Sequence, residues 1–95
     1  MTTTVTISEA SVPLLPRGVK LRFDATRESW VVLAPERVFV PDQIALEILK
    51  RCDGQATVAH IVDDLAAAFS APREVILTDV QVLLQDLADK GVIGA

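Results

Sequence analysis

The sequence predicts an α+β, winged-helix-like domain with an N-terminal three-stranded antiparallel sheet followed by a three-helix bundle. Two observations carry this reading. Apolar residues alternate at a period of two between residues 19 and 40, and from Asp42 onward they recur at the 3.6-residue period of amphipathic helices. Prolines and glycines punctuate the chain between these stretches, at Pro13, Gly18, Pro35, Pro41, Gly54 and Pro72. Ninety-five residues, 51% apolar and 23% charged, suffice for one modest core and are too apolar for a chain kept disordered by its charge.

Residues 1–13 are rich in Thr and Ser, and the Val5, Ile7 alternation within them is too brief to fold alone. They read as a mobile arm, leaving 14–95 as the domain. Val19, Leu21 and Phe23 alternate with charged residues as a half-buried first strand. The polar run Asp24–Ser29 is turn-compatible, and Trp30–Leu33 returns antiparallel to form a hairpin. Pro35 bends the chain, because proline fixes its own φ, lacks an N–H and keeps the preceding residue out of helical space. Arg37–Val40 is then a third strand, and prolines on both sides mark it as an edge with open hydrogen-bonding groups.

Asp42 can cap a first helix with Ile44, Ala45, Ile48, Leu49 and Cys52 on one side, ended by Asp53-Gly54. Thr57 can cap a second, whose stripe is Val58, Ile61, Val62, Leu65, Ala66 and Phe69. Pro72 suits the first turn of a third helix, with Glu74 near its positive end, and this helix stops at Gly91. Ile76, Leu77, Val80, Leu83, Leu84, Leu87 and Ala88 form its broad apolar stripe, while Val75 and Val82 fall on the far side beside Asp79 and Asp86. Those two valines either pack tightly between the sheet and another helix or line a groove for an apolar partner.

Composition favours binding over catalysis. One cysteine excludes an intrachain disulfide, and one histidine leaves no Cys/His set for structural zinc. Cys52 reads as a small buried hydrophobe, His60 with Asp63 and Asp64 as a solvated polar face, and Trp30 as core or an edge anchor. The scattered glycines make no phosphate-cradling loop. No run approaches the about 20 apolar residues of a membrane span, and the N-terminus has no signal-like core, so a cytoplasmic protein without a membrane partner is expected.

A net charge of −4 has the wrong sign for neutralising phosphates, and the third helix carries Glu74, Asp79, Asp86 and Asp89. Nucleic acid is therefore not expected, although a winged-helix DNA-binding or regulatory protein-interaction domain is the alternative with the same architecture. The charge is uneven: residues 17–37 hold five basic and three acidic side chains, residues 42–95 four basic and nine acidic. An open edge beside an apolar helix suits strand addition, in which a peptide pairs with Arg37, Val38, Phe39 and Val40 and places side chains near Ile44, Val75, Asp79 and Val82.

The runs Arg17-Gly18-Val19-Lys20-Leu21-Arg22-Phe23-Asp24 and Trp30-Val31-Val32-Leu33-Ala34-Pro35-Glu36-Arg37, with Ile44-Ala45, Ile48-Leu49, Cys52-Asp53-Gly54, Thr57-Val58 and Ile61, resemble the PqqD family of pyrroloquinoline quinone biosynthesis. The resemblance spans about residues 14–93, and its most specific element is Trp-x-x-Leu-x-Pro-Glu combined with Asp-Gly-x-x-Thr. It implies a peptide chaperone of the recognition-element type found in ribosomal-peptide-modifying systems, with no catalysis and no cofactor of its own. Such a domain holds the leader of the precursor peptide PqqA as an added strand and presents it to the radical SAM enzyme PqqE, to which the iron–sulfur chemistry belongs. The elements implied are Arg37–Val40 and the helix over 72–90. The open edge also makes self-pairing into a homodimer plausible.

Overall fold

A computed structural model describes residues 6–35 and 37–95. Three antiparallel strands, β1 (Lys20–Asp24), β2 (Ser29–Ala34) and β3 (Arg37–Phe39), lie in the order β1-β2-β3. Three helices follow, α1 (Gln43–Leu49), α2 (Val58–Phe69) and α3 (Arg73–Asp89). The architecture is the one the two periodicities predict.

The register fixes the faces of the sheet. Leu21 pairs with Val32 and Val32 with Phe39, so these three share the side on which Val32 is buried in the core. Lys20 pairs with Leu33, Arg22 with Val31 and Leu33 with Val38, which puts all five on the opposite face. The β1–β2 turn is held by Asp24, whose Oδ1 accepts from the N–H groups of Thr26 (2.9 Å) and Arg27 (3.3 Å). β3 ends at Phe39, one residue earlier than the sequence reading.

Asp42 and Thr57 cap as the sequence indicates. Asp42 Oδ1 accepts from the Ala45 N–H at 2.7 Å, and Thr57 Oγ1 from the His60 N–H at 3.2 Å. α1 is shorter than its apolar periodicity suggests. Its helix stops at Leu49, and Arg51 and Cys52 continue in tight turns onto the carbonyls of Ile48 and Leu49. Asp53 ends the run by taking the N–H groups of Gln55 and Ala56 on Oδ1, at 2.9 and 3.0 Å, which leaves Gly54 in a turn at φ +78° rather than as a helix cap. Pro72 occupies the capping position before α3 rather than its first turn. At the other end Gly91, at φ +75°, closes α3 in a Schellman arrangement, its N–H on the Ala88 carbonyl and the Val92 N–H on that of Leu87.

Ile48, Ile61, Val62, Val80 and Leu84 are fully buried with Val32, so all three helices and the inner face of the sheet share one core. Residues 6–13, read from sequence as part of a mobile arm, are laid against α2 and α3. Ile7 is 6% exposed and its N–H donates to Gln85 Oε1 at 2.9 Å. The carbonyls of Glu9 and Ser11 accept from Ala59 and Val58, and Pro13 is buried. These contacts reach from Glu9 as far as Arg73, a separation that local patterning does not register. Residues 1–5 of that stretch lie outside the described residues. Leu14 exchanges backbone hydrogen bonds with Gly94 at 2.8 and 2.9 Å, and the Gly54 N–H donates to the Pro13 carbonyl.

Candidate functional site

A groove runs between α1 and α3. Its open part, about 560 Å³, is lined by Asp42, Ile44, Ala45, Ile48, Asp79, Val82, Leu83 and Asp86. A smaller, more enclosed compartment of about 200 Å³ continues from it toward the end of α2, bounded by Ile44, Ile48, Leu65, Phe69, Ala71, Ile76, Asp79 and Val80. Ile44, Ile48 and Asp79 line both and form the seam between them.

Each wall follows from local sequence. α1 begins right after β3, so Val40-Pro41 carries the edge strand directly into Asp42, the first lining residue. The Asp42 cap leaves Ile44 in the first turn, 59% exposed, while Ile48 one turn on is buried as the groove floor. On α3, residues 75, 79, 82 and 86 recur at four, seven and eleven positions and make one outward stripe of Val, Asp, Val, Asp. Val82 is 66% exposed and stands on the groove wall. β3 has β2 on one side only, leaving its other edge open among the described residues.

Of the residues singled out from sequence, Ile44, Asp79 and Val82 come together in the groove. Val75 belongs to the same α3 stripe and is exposed, but it lines neither compartment. Phe39 packs its ring against the core, so only its backbone is offered at the edge. Arg37, Val38 and Val40 are exposed, Val38 on the face of the sheet away from the helices. Ile48, Leu83 and Phe69 line the groove without having been singled out. Their stripe positions mark them as apolar, and only the relative placement of three helices shows that each keeps a side toward the cavity. Asp42 and Asp86 were read as a cap and a far-side acid, and both also face the groove.

Neither Cys52 nor His60 lines either compartment. Cys52 is buried, its thiol donates to the Ile48 carbonyl at 3.3 Å, and burial pushes its pKa up to about 12, with the Asp53 carboxylate adding to the effect. Among the described residues no group of three or more His, Cys, Asp and Glu is placed to hold a metal ion, and no helix is long and apolar enough to cross a membrane. The acids of α2 have structural partners. Asp64 takes Arg51 Nε at 2.6 Å and Asp63 takes Arg73 Nε at 2.5 Å, while Arg73 Nη2 also reaches Glu9 at 2.6 Å. Trp30 meets Phe23 edge-on at 5.8 Å and carries Lys50 Nζ 5.2 Å from its ring centroid, a cation–π contact tying α1 to the hairpin.

The family profile described as coenzyme PQQ synthesis protein D (PqqD) matches residues 29–93. A PqqA binding protein of Bradyrhizobium diazoefficiens is 60% identical over 87 residues, covering 92% of this chain and 84% of the relative. The solution structure of the PqqD truncation of Methylobacterium extorquens PqqCD, described as a functional, stand-alone recognition element for ribosomally synthesised and post-translationally modified peptides, superposes with a TM-score of 0.80. It is 43% identical and covers 94% of this chain and 95% of that one. The crystal structure of PqqD from Xanthomonas campestris superposes with a TM-score of 0.61 at 44% identity, covering 95% of this chain and all of the other.

Proposed function

The chain belongs to the PqqD family, and from that premise we propose that it binds the precursor peptide PqqA by strand addition and presents it to the radical SAM enzyme PqqE. It acts as a recognition element, not as an enzyme. The observation that carries this reading is the open β3 edge leading straight into an apolar groove walled by Ile44 and Val82. An extended peptide pairs its backbone with Arg37–Val40, which supplies affinity with little sequence dependence, and its side chains enter the groove beside α3, where selection occurs. In this reading the binding domain extends over residues 14–95, with residues 6–13 packed along α3 beside the groove, where Ile7 neighbours Val82 and Asp86.

The two faces of the molecule divide the partners by charge. Asp42, Asp79 and Asp86 edge the groove, whereas the outer face of the sheet carries Lys20 and Arg22 beside Leu33 and the exposed Val38. Lys20, Arg22 and Val38 on that outer face are exposed and lie outside the groove, so we assign them to an acidic surface of PqqE. Association with the enzyme should then slow as ionic strength rises. The test of the whole reading is calorimetric titration with the PqqA peptide, with and without PqqE. One-to-one binding that persists with the enzyme bound is the expected result, and absence of binding in both conditions overturns it.

A further inference from the structure

Resting on the peptide-binding reading above, we infer that the groove selects a segment in which a bulky apolar side chain and a lysine or arginine stand two residues apart. The enclosed compartment of about 200 Å³ is bounded, apart from Asp79, by Ile44, Ile48, Leu65, Phe69, Ala71, Ile76 and Val80. Such a site takes one large apolar side chain and offers a polar one no partner but Asp79 at its mouth.

Asp79 stands at the seam, lining both this compartment and the open groove. Among the described residues no cation or hydrogen-bond donor engages its carboxylate. The other charged residues at the groove are also acidic: Asp42, which caps α1, and Asp86, which holds Lys90 at 2.9 Å. No basic side chain lines either compartment. A peptide laid there meets negative charge at the mouth of an apolar pocket, and the complementary ligand carries positive charge beside its anchor. In an extended strand, residues i and i+2 point to the same side about 6.6 Å apart. The side chain next to the anchor on the groove side is therefore two positions away, and that is the position facing Asp79. Lysine and arginine fit the site further because their aliphatic stems can lie on Val82 and Ile44 while their charged ends reach the aspartates.

The test measures affinity of the full chain for the PqqA peptide and for versions of it with each lysine or arginine changed singly to Gln, using wild-type protein, Asp79→Asn and Val82→Lys. For Asp79→Asn we expect a loss of about three- to fivefold, the size of a partly exposed charge pair, together with a weaker salt dependence. One Gln-substituted peptide should lose the same factor with wild-type protein and nothing further with Asp79→Asn. If Asp79→Asn binds as tightly as wild type while Val82→Lys does not, the charge selection is overturned and the groove reading stands. If both variants bind as wild type, the groove reading falls as well. A loss in Asp79→Asn that couples to no basic residue of the peptide also overturns the inference.

Discussion

Arg51 clasps Asp64 at 2.6 Å while its Nη1 reaches the carbonyl and carboxylate of Glu47 at 2.8 and 3.1 Å, so one guanidinium fastens α1 to α2. Since α1 supplies Ile44 and Ile48 and α2 supplies Leu65 and Phe69, this clasp links two of the walls of the enclosed compartment.

The clasp has an acid signature. Hydrogen bonding to Arg51 is the main cause that holds the carboxyl groups of both Asp64 and Glu47 below their ordinary values of 3.8 and 4.5. A lowered folded-state pKa contributes stability that is fully present above the ordinary value and is lost as pH falls through the folded value. Urea midpoints should therefore be insensitive to these groups from neutral pH to about 5 and decline below the ordinary carboxylate range. Arg51→Met should be modestly less stable near neutrality, since the pairs are partly solvated, and its curve should converge on the wild-type curve in acid. Parallel curves would remove the clasp from the account.

Val82→Lys places a charge on an exposed wall. Its effect on folding should stay within about 0.5 kcal/mol by chemical denaturation. Its effect on PqqA binding should be tenfold or more, because it puts an ammonium against the apolar part of the peptide and beside the basic residue that Asp79 attracts. Equal affinities in titration would place the peptide elsewhere.

Ile7→Ala discriminates a docked N-terminal segment from a loose one. With its side chain buried among core residues, truncation should cost about 2 kcal/mol, the lower end for a buried isoleucine. A free arm would show no change in denaturation midpoint.

Cys52 reports on opening of the fold. Its thiol is buried and stays protonated at neutral pH, so alkylation in native buffer should be at least a hundredfold slower than in denaturant. Native-rate labelling equal to the unfolded rate would mean that the α1–α2 junction is open in solution.

Much of this was legible in the sequence, for local reasons. Asp42 and Thr57 cap within three residues of themselves, and the 20–34 hairpin is fixed by alternation and a polar turn. The extent of α1 was not legible, because Cys52 fits the apolar period while Asp53, further along, ends the run through hydrogen bonds to Gln55 and Ala56. Ile7 looked solitary because its hydrogen-bond partner Gln85 is 78 residues away. The site was half legible. Val82 and Asp79 announced themselves as misplaced valine and acid on a helix face, but the enclosed compartment needs residues from all three helices, and no single period brings Ile48, Leu65 and Ile76 together.

Leu14, bonded to Gly94 in both directions, gives the fold a late step. The hairpin and each helix can form from neighbours in sequence, whereas this join waits for nearly the whole domain to be synthesised. Loop-closure entropy rises only slowly with length, so the delay is one of order more than of energy. Until α3 has been made, the strip from residue 6 to residue 14 lacks its partners on Gln85, Arg73 and Gly94, and an emerging chain exposes Ile7 and the apolar side of α2 together. During that interval the apolar strip should be open to proteases and to another copy, in addition to the β3 edge that the finished fold leaves open.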